Sequence, residues 1–290
     1  MNVLSLFNGM NTLRQAMENQ QIKVDKYYSS EIKPYAIKLT QHHFPDTIQL
    51  GDITKWREWD VDWSTIDFIG SGSPCQDLSI AGKRAGIQGE KSSLFFTFIE
   101  ILNHVRKLNP KVLFLQENVG SANVVDIGIM SRELGVYPVR INSNLVVAQN
   151  RDRYYWTNIR TKEYGMFSDI VTDIPQPKDR KIFLKDIIES GEVFTNKAAS
   201  LLQRNGFALN CKNNEDERGQ RRLKRRFDKV FLSLVCDESK YRLHTQTELE
   251  RLQGFPDGYT SILSYNQAAS VLGDGWTLPV IEHILSFINN

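Results

Sequence analysis

Along the first half of this chain, short apolar runs alternate with helix-patterned stretches, and each run stops at small or polar residues. Val3 to Phe7 stops at Gly9 and is followed by a helical stretch from about Leu13 to Gln20. Lys26 to Ser30 is aromatic and strand-like, and a helical pattern runs from Pro34 to about His43. Ile66 to Gly70 ends at the turn-forming Ser71-Gly72-Ser73-Pro74. Leu94 to Leu108 carries apolar residues at helical spacing, and Val112 to Leu115 is again strand-like. This alternation predicts βαβ units and a mostly parallel sheet. Ligands of such sheets sit outside the carboxyl ends of the strands, so chemistry is expected in the segments that follow them.

Composition narrows the class. A chain of 290 residues holds one large domain, or one domain and a small partner. Its 41% hydrophobic and 24% charged residues exclude a disordered, collagen-like or coiled-coil protein. No apolar run approaches the roughly 18 residues of a membrane span, and the N-terminus lacks the basic and apolar regions of a signal peptide. Three cysteines, Cys75, Cys211 and Cys236, with no CxxC pair, argue against a disulfide scaffold and a structural zinc site. The expectation is a reducing cytoplasm, no membrane and no metal. Net charge is only +2, so an anionic partner must be met by a local patch. The character of the chain shifts between about Thr161 and Tyr241, where periodicity weakens and charge rises. There an acidic trio, Glu215 to Glu217, precedes a basic run from Arg218 to Arg226. Regularity returns from Arg242, with a strong turn at Gly254 to Gly258 and a closing amphipathic helix from Pro279 to Phe287.

Three segments carry residues suited to chemistry. Cys75 follows a Pro turn at the end of an apolar run, a place for a nucleophile, although a buried structural cysteine is the commoner use. Glu117, in Gln116-Glu117-Asn118-Val119, follows the next apolar run, so its carboxyl can sit beside that cysteine as a proton donor. Arg151 and Arg153, in Gln149-Asn150-Arg151-Asp152-Arg153, are two apart in an extended segment and are expected on one face. Their forked donors suit a carbonyl oxygen, a carboxylate or a phosphate.

Together these segments resemble the DNA cytosine-5 methyltransferases, in that family's motif order and over nearly the whole chain. Leu6-Phe7-Asn8-Gly9 is similar to the first cofactor motif, Ser30-Glu31 to the acidic end of the second strand, and Gly51-Asp52-Ile53 to the third motif. Ser73-Pro74-Cys75-Gln76 resembles the nucleophile motif, and Ser92 to Leu102 the helix after its loop. Glu117-Asn118-Val119 and Gln149-x-Arg151-x-Arg153 match the remaining catalytic pair. Arg242 to Pro256 resembles the motif after the target-recognition region, and Leu272 to Ile284 the last motif. A lone Pro-Cys is a weak signal. The ordered set is specific.

The resemblance implies an α/β fold: a Rossmann-like S-adenosylmethionine-dependent methyltransferase sheet with a smaller target-recognition domain. The catalytic domain is expected at 1–160, completed by 265–290, with the smaller domain at 161–264. It also implies the chemistry. A Cys75 thiolate adds to cytosine C6 while protonated Glu117 supports N3; C5 then accepts the methyl of S-adenosylmethionine, loses its proton, and Cys75 departs. A carboxyl held protonated at neutral pH calls for a dry pocket. Arg153 is expected on the cytosine O2, Arg151 beside it in a positioning role, and Asn118 bracing the Pro74-Cys75 turn. The target base must leave the duplex. Ala81 to Lys91 reads as a loop that closes on double-stranded DNA with Lys83 and Arg84 on phosphates, or else as an ordinary connector.

For the cofactor, the resemblance places Glu31 on the ribose hydroxyls and Asp52 on the adenine amino group. Phe7, Gly9, Met10, Asn11 and Thr12 line the first turn. Ile32, Ile53, Pro74, Leu94, Asp274, Gly275 and Trp276 complete the pocket. Both acids have an alternative use as strand-end caps. Arg221, Arg222 and Arg225 of the basic run are candidates for DNA contact, against the alternative of a solvated helix face neutralised by the acidic trio. Two departures from the family pattern bear on cofactor affinity more than on reaction type. Gly9-Met10-Asn11-Thr12 replaces Gly-x-Gly-Gly, closer to the animal de novo branch, and Asp274 stands where many members have Asn. A compact chain of this kind suggests a bacterial or phage enzyme, acting in the cytoplasm of the cell or infected host, with a companion restriction endonuclease as a further expected partner. Two rival readings remain at this stage: a tRNA cytosine methyltransferase, whose typical Cys-Phe-Thr tripeptide is absent here, and a catalytically silent DNA-binding regulatory homologue.

Overall fold

The apolar runs read from the sequence are strands, and the helical patterns are helices. In chain order they are β1 (Asn2–Leu6), α1 (Thr12–Asn19), β2 (Lys26–Ser30), α2 (Pro34–His43), a short β3 (Ile48–Gln49) and β4 (Ile66–Ser71). Helix α3 (Leu94–Leu108), β5 (Leu113–Val119), α4 (Val124–Leu134), β6 (Val139–Asn142) and β7 (Asp152–Thr157) follow. Then come the hairpin β8 (Thr161–Tyr164) and β9 (Asp169–Thr172), the pair β10 (Val235–Asp237) and β11 (Lys240–Arg242), and helices α5 (Gln246–Gln253), α6 (Tyr265–Asp274) and α7 (Leu278–Leu285). The computed structural model describes residues 1–74, 94–201, 235–237 and 240–288. Cys75, Lys83 and Arg84, and Arg221, Arg222 and Arg225 of the basic run, lie outside the described residues.

Seven strands form one sheet in the order β3-β2-β1-β4-β5-β7-β6. Strands β3, β2, β1, β4 and β5 run parallel, and β7 enters antiparallel to β5. The chain winds outward from β1 to β3 on one side and from β4 to β5 on the other. The strand order therefore reverses between β1 and β4, which is the switch point where open α/β sheets bind ligands. The segments that leave β1 and β4 there are Phe7–Asn11 and Gly72–Pro74.

Both faces of the sheet are covered. Val3 and Leu4 point to opposite faces, and each is fully buried. On one face, α3 presents Phe95, Phe98, Ile99, Leu102 and Val105, a helical stripe, to Leu4, Leu6, Ile69, Phe114 and Trp156. Each such buried side chain contributes about 1.5–3 kcal/mol over leaving it in water. This packing fixes where β1, β4 and β5 end, and so where the site residues stand.

The chain divides into two compact units. The first is Met1–Ile141, Asp152–Gln176 and Ile281–Asn290; the second is Asn142–Arg151 and Pro177–Val280. Residues 161–176 belong to the first unit and 265–280 to the second, so these units are cut differently from the catalytic and target-recognition division read from the sequence. In the second unit, α5 opens on a reciprocal cap between Thr245 and Glu248 and closes on Gly254 at φ 77°. A Cβ at Gly254 would lie 2.3 Å from Pro279 Cδ. Gly254→Ala is therefore expected to cost about 1–2 kcal/mol for the left-handed backbone and about 1–3 kcal/mol for overpacking. The measurement is the urea midpoint; an unchanged midpoint would contradict the close packing of Gly254 on Pro279.

Candidate active site and cofactor cradle

The turn after β1 alternates backbone handedness, with Phe7 at φ 56°, Gly9 at φ 57° and Asn11 at φ 68°. Glycine meets this need without strain, and asparagine tolerates it better than most side chains. The turn is held by its neighbours. Asn8 N–H donates to Ser30 O at 3.1 Å, and the Asn8 side chain bridges Thr40 Oγ1 and Tyr27 Oη. Glu31 Oε2 accepts from Gly9 N–H at 2.8 Å, while Glu31 Oε1 accepts from the N–H groups of Ile32 and Lys33. Three backbone donors thus take three of the roughly four lone-pair sites of a carboxylate, which leaves capacity for one more donor such as a hydroxyl. Ile32 beside it is 69% exposed, an apolar side chain with no cover.

Asp52 caps the 3-10 helix Ile53–Glu58, and its Oδ1 accepts from both Thr54 N–H and Thr54 Oγ1. Both of those bonds go to one oxygen. Ile53 is buried in the sheet's main apolar cluster, and Leu94, which opens α3, packs against it. Among the described residues, several buried polar atoms have no partner on or just after the central strands: Asn11 Oδ1 and Nδ2 after β1, Ser71 Oγ at the end of β4, and Asn118 Nδ2 and Gln116 Oε1 on β5; others, such as Ser29 Oγ, the Gln49 amide and His244 Nε2, lie elsewhere. Buried polar groups are normally paired, so an unpaired one at a strand end is a place where a polar ligand can supply the partner. The residues present thus suit a nucleoside carrying further polar groups.

At the end of β5, Glu117 meets Arg153 of β7. Val119 is the register partner of Arg153 and Glu117 that of Tyr155, which puts Glu117 and Arg153 diagonally across one face. Arg153 Nε lies 2.8 Å from Glu117 Oε1, and the two side chains are only 13% and 11% exposed. Arg153 Nη1 also donates to Asp152 O. Asp152 is gripped by Arg140 of β6, whose Nε lies 3.0 and 2.9 Å from its two oxygens. The carbonyl of Asp152 accepts from Gly120 N–H at 3.0 Å. The segment between the two expected arginines is thereby fixed on both sides.

Arg151 stands immediately before β7, which begins at Asp152. The buried Arg151 guanidinium donates to Leu201 O at 3.0 Å, Gly273 O at 3.1 Å and Gly275 O at 2.9 Å. Those last two carbonyls flank Asp274, so Arg151 ties down the end of α6 at Asp274 and the turn through Gly275 and Trp276. Around it runs a buried polar network that sequence reading missed. Gln149 Nε2 donates to Leu252 O, Gln253 Nε2 donates to Leu272 O, and Thr277 Oγ1 donates to Gln253 Oε1.

Asn118 Oδ1 accepts from Val119 N–H at 2.7 Å, and Gln116 Nε2 donates to Ser73 Oγ at 2.9 Å in the turn that leads to Cys75; the expected brace from Asn118 to Pro74-Cys75 involves a residue outside the described ones. Gln116 belongs to the Gln116-Glu117-Asn118-Val119 segment, but nothing in the sequence distinguishes it from its neighbours. Pro74 is the last described residue before Cys75. Among the described residues, no group of three or more His, Cys, Asp or Glu could hold a metal ion, and no helix is long and apolar enough to cross a membrane.

A sheet of this order, with a carboxylate and an arginine at the ends of β5 and β7 and an acid after β2, defines a Rossmann-like S-adenosylmethionine-dependent methyltransferase fold. Within that class the chain belongs to the C-5 cytosine-specific DNA methylase family, whose pattern it matches over residues 1–290. Members are DNA (cytosine-5-)-methyltransferases, transferases that are generally S-adenosylmethionine-dependent. The chain is 29% identical to the type II methyltransferase M1.ScrFI of Lactococcus lactis subsp. cremoris, over 97% of this chain and 76% of that protein. It is 28% identical to the type II methyltransferase M.HpaII of Haemophilus parainfluenzae, over 96% and 86%. The crystal structure of DNMT2 from Spodoptera frugiperda has the same fold, with TM-score 0.62 and 19% identity over 100% of this chain and 99% of that one.

Proposed function

We propose that this protein methylates C5 of a cytosine flipped out of double-stranded DNA, with Cys75 as the nucleophile. The observation that carries the reading is the nearly buried Glu117–Arg153 pair at the carboxyl end of β5, two strand-end groups in one family-matched chain. Cytosine presents O2 and N3 side by side. A guanidinium and a carboxyl at one strand end suit that edge: Arg153 turns from Glu117 to donate to O2, and Glu117, released from the ion pair and carrying a proton, supports N3. Supported in this way, the ring accepts the Cys75 sulfur at C6, and C5 becomes nucleophilic. Bound S-adenosylmethionine supplies the methyl group. Loss of the C5 proton and of Cys75 then restores the ring.

In this reading Glu31 receives a ribose hydroxyl through its remaining lone pair, and Asp52 the adenine amino group through Oδ2. Phe7, Gly9, Met10, Asn11, Thr12, Ile32, Ile53, Pro74 and Leu94 line the cofactor site, with Asp274, Gly275 and Trp276 from the segment tied down by Arg151. Asn118 stands beside Glu117, and Lys83 and Arg84 meet phosphates of the bound duplex. Arg221, Arg222 and Arg225 contact DNA from the target-recognition domain, 161–264, while 1–160 and 265–290 make the catalytic domain. The setting is the cytoplasm of a bacterial cell or its phage-infected counterpart, with a companion restriction endonuclease, in line with the type II relatives.

The test is a duplex carrying 5-fluorocytosine, incubated with the protein and S-adenosylmethionine. Fluorine at C5 does not leave as a proton does, so a denaturation-resistant protein–DNA adduct is expected, and Cys75→Ser is expected to abolish it while still binding duplex. Absence of an adduct on DNA of varied sequence, with cofactor bound, would move the substrate to RNA. Absence of cofactor binding as well would favour a silent DNA-binding homologue.

A further inference from the structure

The residue before Arg153 is a junction, held at its side chain and used at its carbonyl. Arg140 of β6 grips the Asp152 carboxylate side-on, with Nε at 3.0 and 2.9 Å from the two oxygens and Nη2 on the second of them. The Arg140 guanidinium also lies over the ring of Tyr154, 5.4 Å from its centre, and Arg140 O accepts from Gln176 Nε2. Asp152 O takes two donors: Gly120 N–H at 3.0 Å, from the turn after β5, and Arg153 Nη1 at 2.8 Å. A Cβ at Gly120 would lie 2.8 Å from both Asp152 O and Asp152 Cγ, so the turn comes this close only because residue 120 has no side chain. The turn that follows Glu117 and the guanidinium of Arg153 are thus pinned to one residue.

We infer that Arg140 and Asp152 are positioning residues for Arg153, and that Asp152 O is the pivot on which its guanidinium turns from Glu117 to the cytosine O2. This rests on the reading above, in which Arg153 leaves the ion pair to reach O2. Arg153 is held at Nε by Glu117 Oε1 and at Nη1 by Asp152 O. Breaking the first contact frees Nε and keeps the second, so the place of Asp152 O sets where the freed donors point. That carbonyl has little freedom, because the guanidinium fork of Arg140 fixes the side chain of the same residue. An ion pair whose side chains are 55% and 34% exposed contributes little to stability. Its loss is therefore read in the reaction and not in the fold.

The experiment uses a duplex that the wild-type protein methylates, with either cytosine or 2-thiocytosine at the target, in single turnovers at saturating cofactor. Sulfur is a weak acceptor, so the ratio of the two rates reports how well a donor meets position 2 of the ring. Wild-type protein is expected to favour cytosine at least tenfold. Asp152→Ala and Arg140→Met are each expected to slow cytosine about tenfold and 2-thiocytosine less than twofold, so that the ratio collapses. The double variant is expected to be no slower than the slower single one, because both remove one contact. KM for the duplex and affinity for S-adenosylhomocysteine stay within about twofold and report folded protein. Arg140→Met acts from outside β7 and keeps the test open should Asp152→Ala misfold. Unchanged rates, slower rates at the wild-type ratio, or losses that multiply in the double variant would each overturn the assignment. Wild-type protein that treats both duplexes alike would overturn the O2 contact and the pivot with it. A wild-type protein that methylates no duplex at all would instead remove the reading on which the pivot rests.

Discussion

Glu117→Gln is expected to lower kcat about 10²–10⁴-fold, the range for removing a positioned acid–base group, while cofactor affinity stays within about twofold. Glutamine keeps the size and the hydrogen-bonding tip of the side chain but has no proton to give. It also ends the ion pair with Arg153, whose Nε lies 2.8 Å from Glu117 Oε1. Arg153 keeps its bond to Asp152 O, and Asp152 is held by Arg140 and Gly120, so the guanidinium stays in place. The cradle at Gly9, Glu31 and Asp52 uses other strand ends and is untouched. The measurement is single-turnover methylation of a duplex at saturating cofactor, alongside cofactor binding by calorimetry. A purely structural Glu117 would give another pattern: a lower melting temperature, with the folded protein turning over at nearly the wild-type rate.

How far the sequence carried the site depends on the range of the interaction. Strand ends were legible because apolar runs and turn residues are local signals, and β1, β2, β4 and α3 lie where their patterns put them. Glu117 and Arg153 were legible as chemistry, since residue type and motif order named them. Their contact was not, because it needs β7 to enter antiparallel to β5 in a register that places Arg153 across from Val119. Arg151 shows the limit most clearly. It stands immediately before β7. Its partners, Leu201, Gly273 and Gly275, are distant in sequence, and a backbone carbonyl leaves no mark in residue type. Asn11 was visible as a departure from a glycine pattern, but its buried, unpartnered amide emerged only from the packed turn.

Glu248→Gln is expected to destabilise the second unit by about 3 kcal/mol at neutral pH, the lower end of the cost of breaking a buried ion pair. Glu248 is fully buried, whereas Arg242 keeps about a quarter of its side chain in solvent, 24%, which softens the loss. Arg242 meets both carboxylate oxygens at 2.9 and 2.8 Å, His244 Nδ1 lies 3.2 Å away, and the N–H groups of Glu189 and Thr245 donate as well. Burial by itself pushes this carboxyl up. The hydrogen bonds from His244, Arg242 and the two backbone amides outweigh it and hold the group well below the usual carboxylate range. A carboxyl lowered on folding adds stability that is fully present above its unfolded value, near 4.5, and is lost as pH falls below it toward the folded value. Wild-type protein should therefore lose stability steeply below about pH 4.5, and the gap to Glu248→Gln should narrow there. Asp25 and Asp257 are also held low, by the N-terminal ammonium and by Arg251, but they are common to both proteins and cancel in the difference. Urea midpoints between about pH 3 and 7 measure that gap. Two curves that run parallel across this window would mean that Glu248 is not the group whose charge the fold protects.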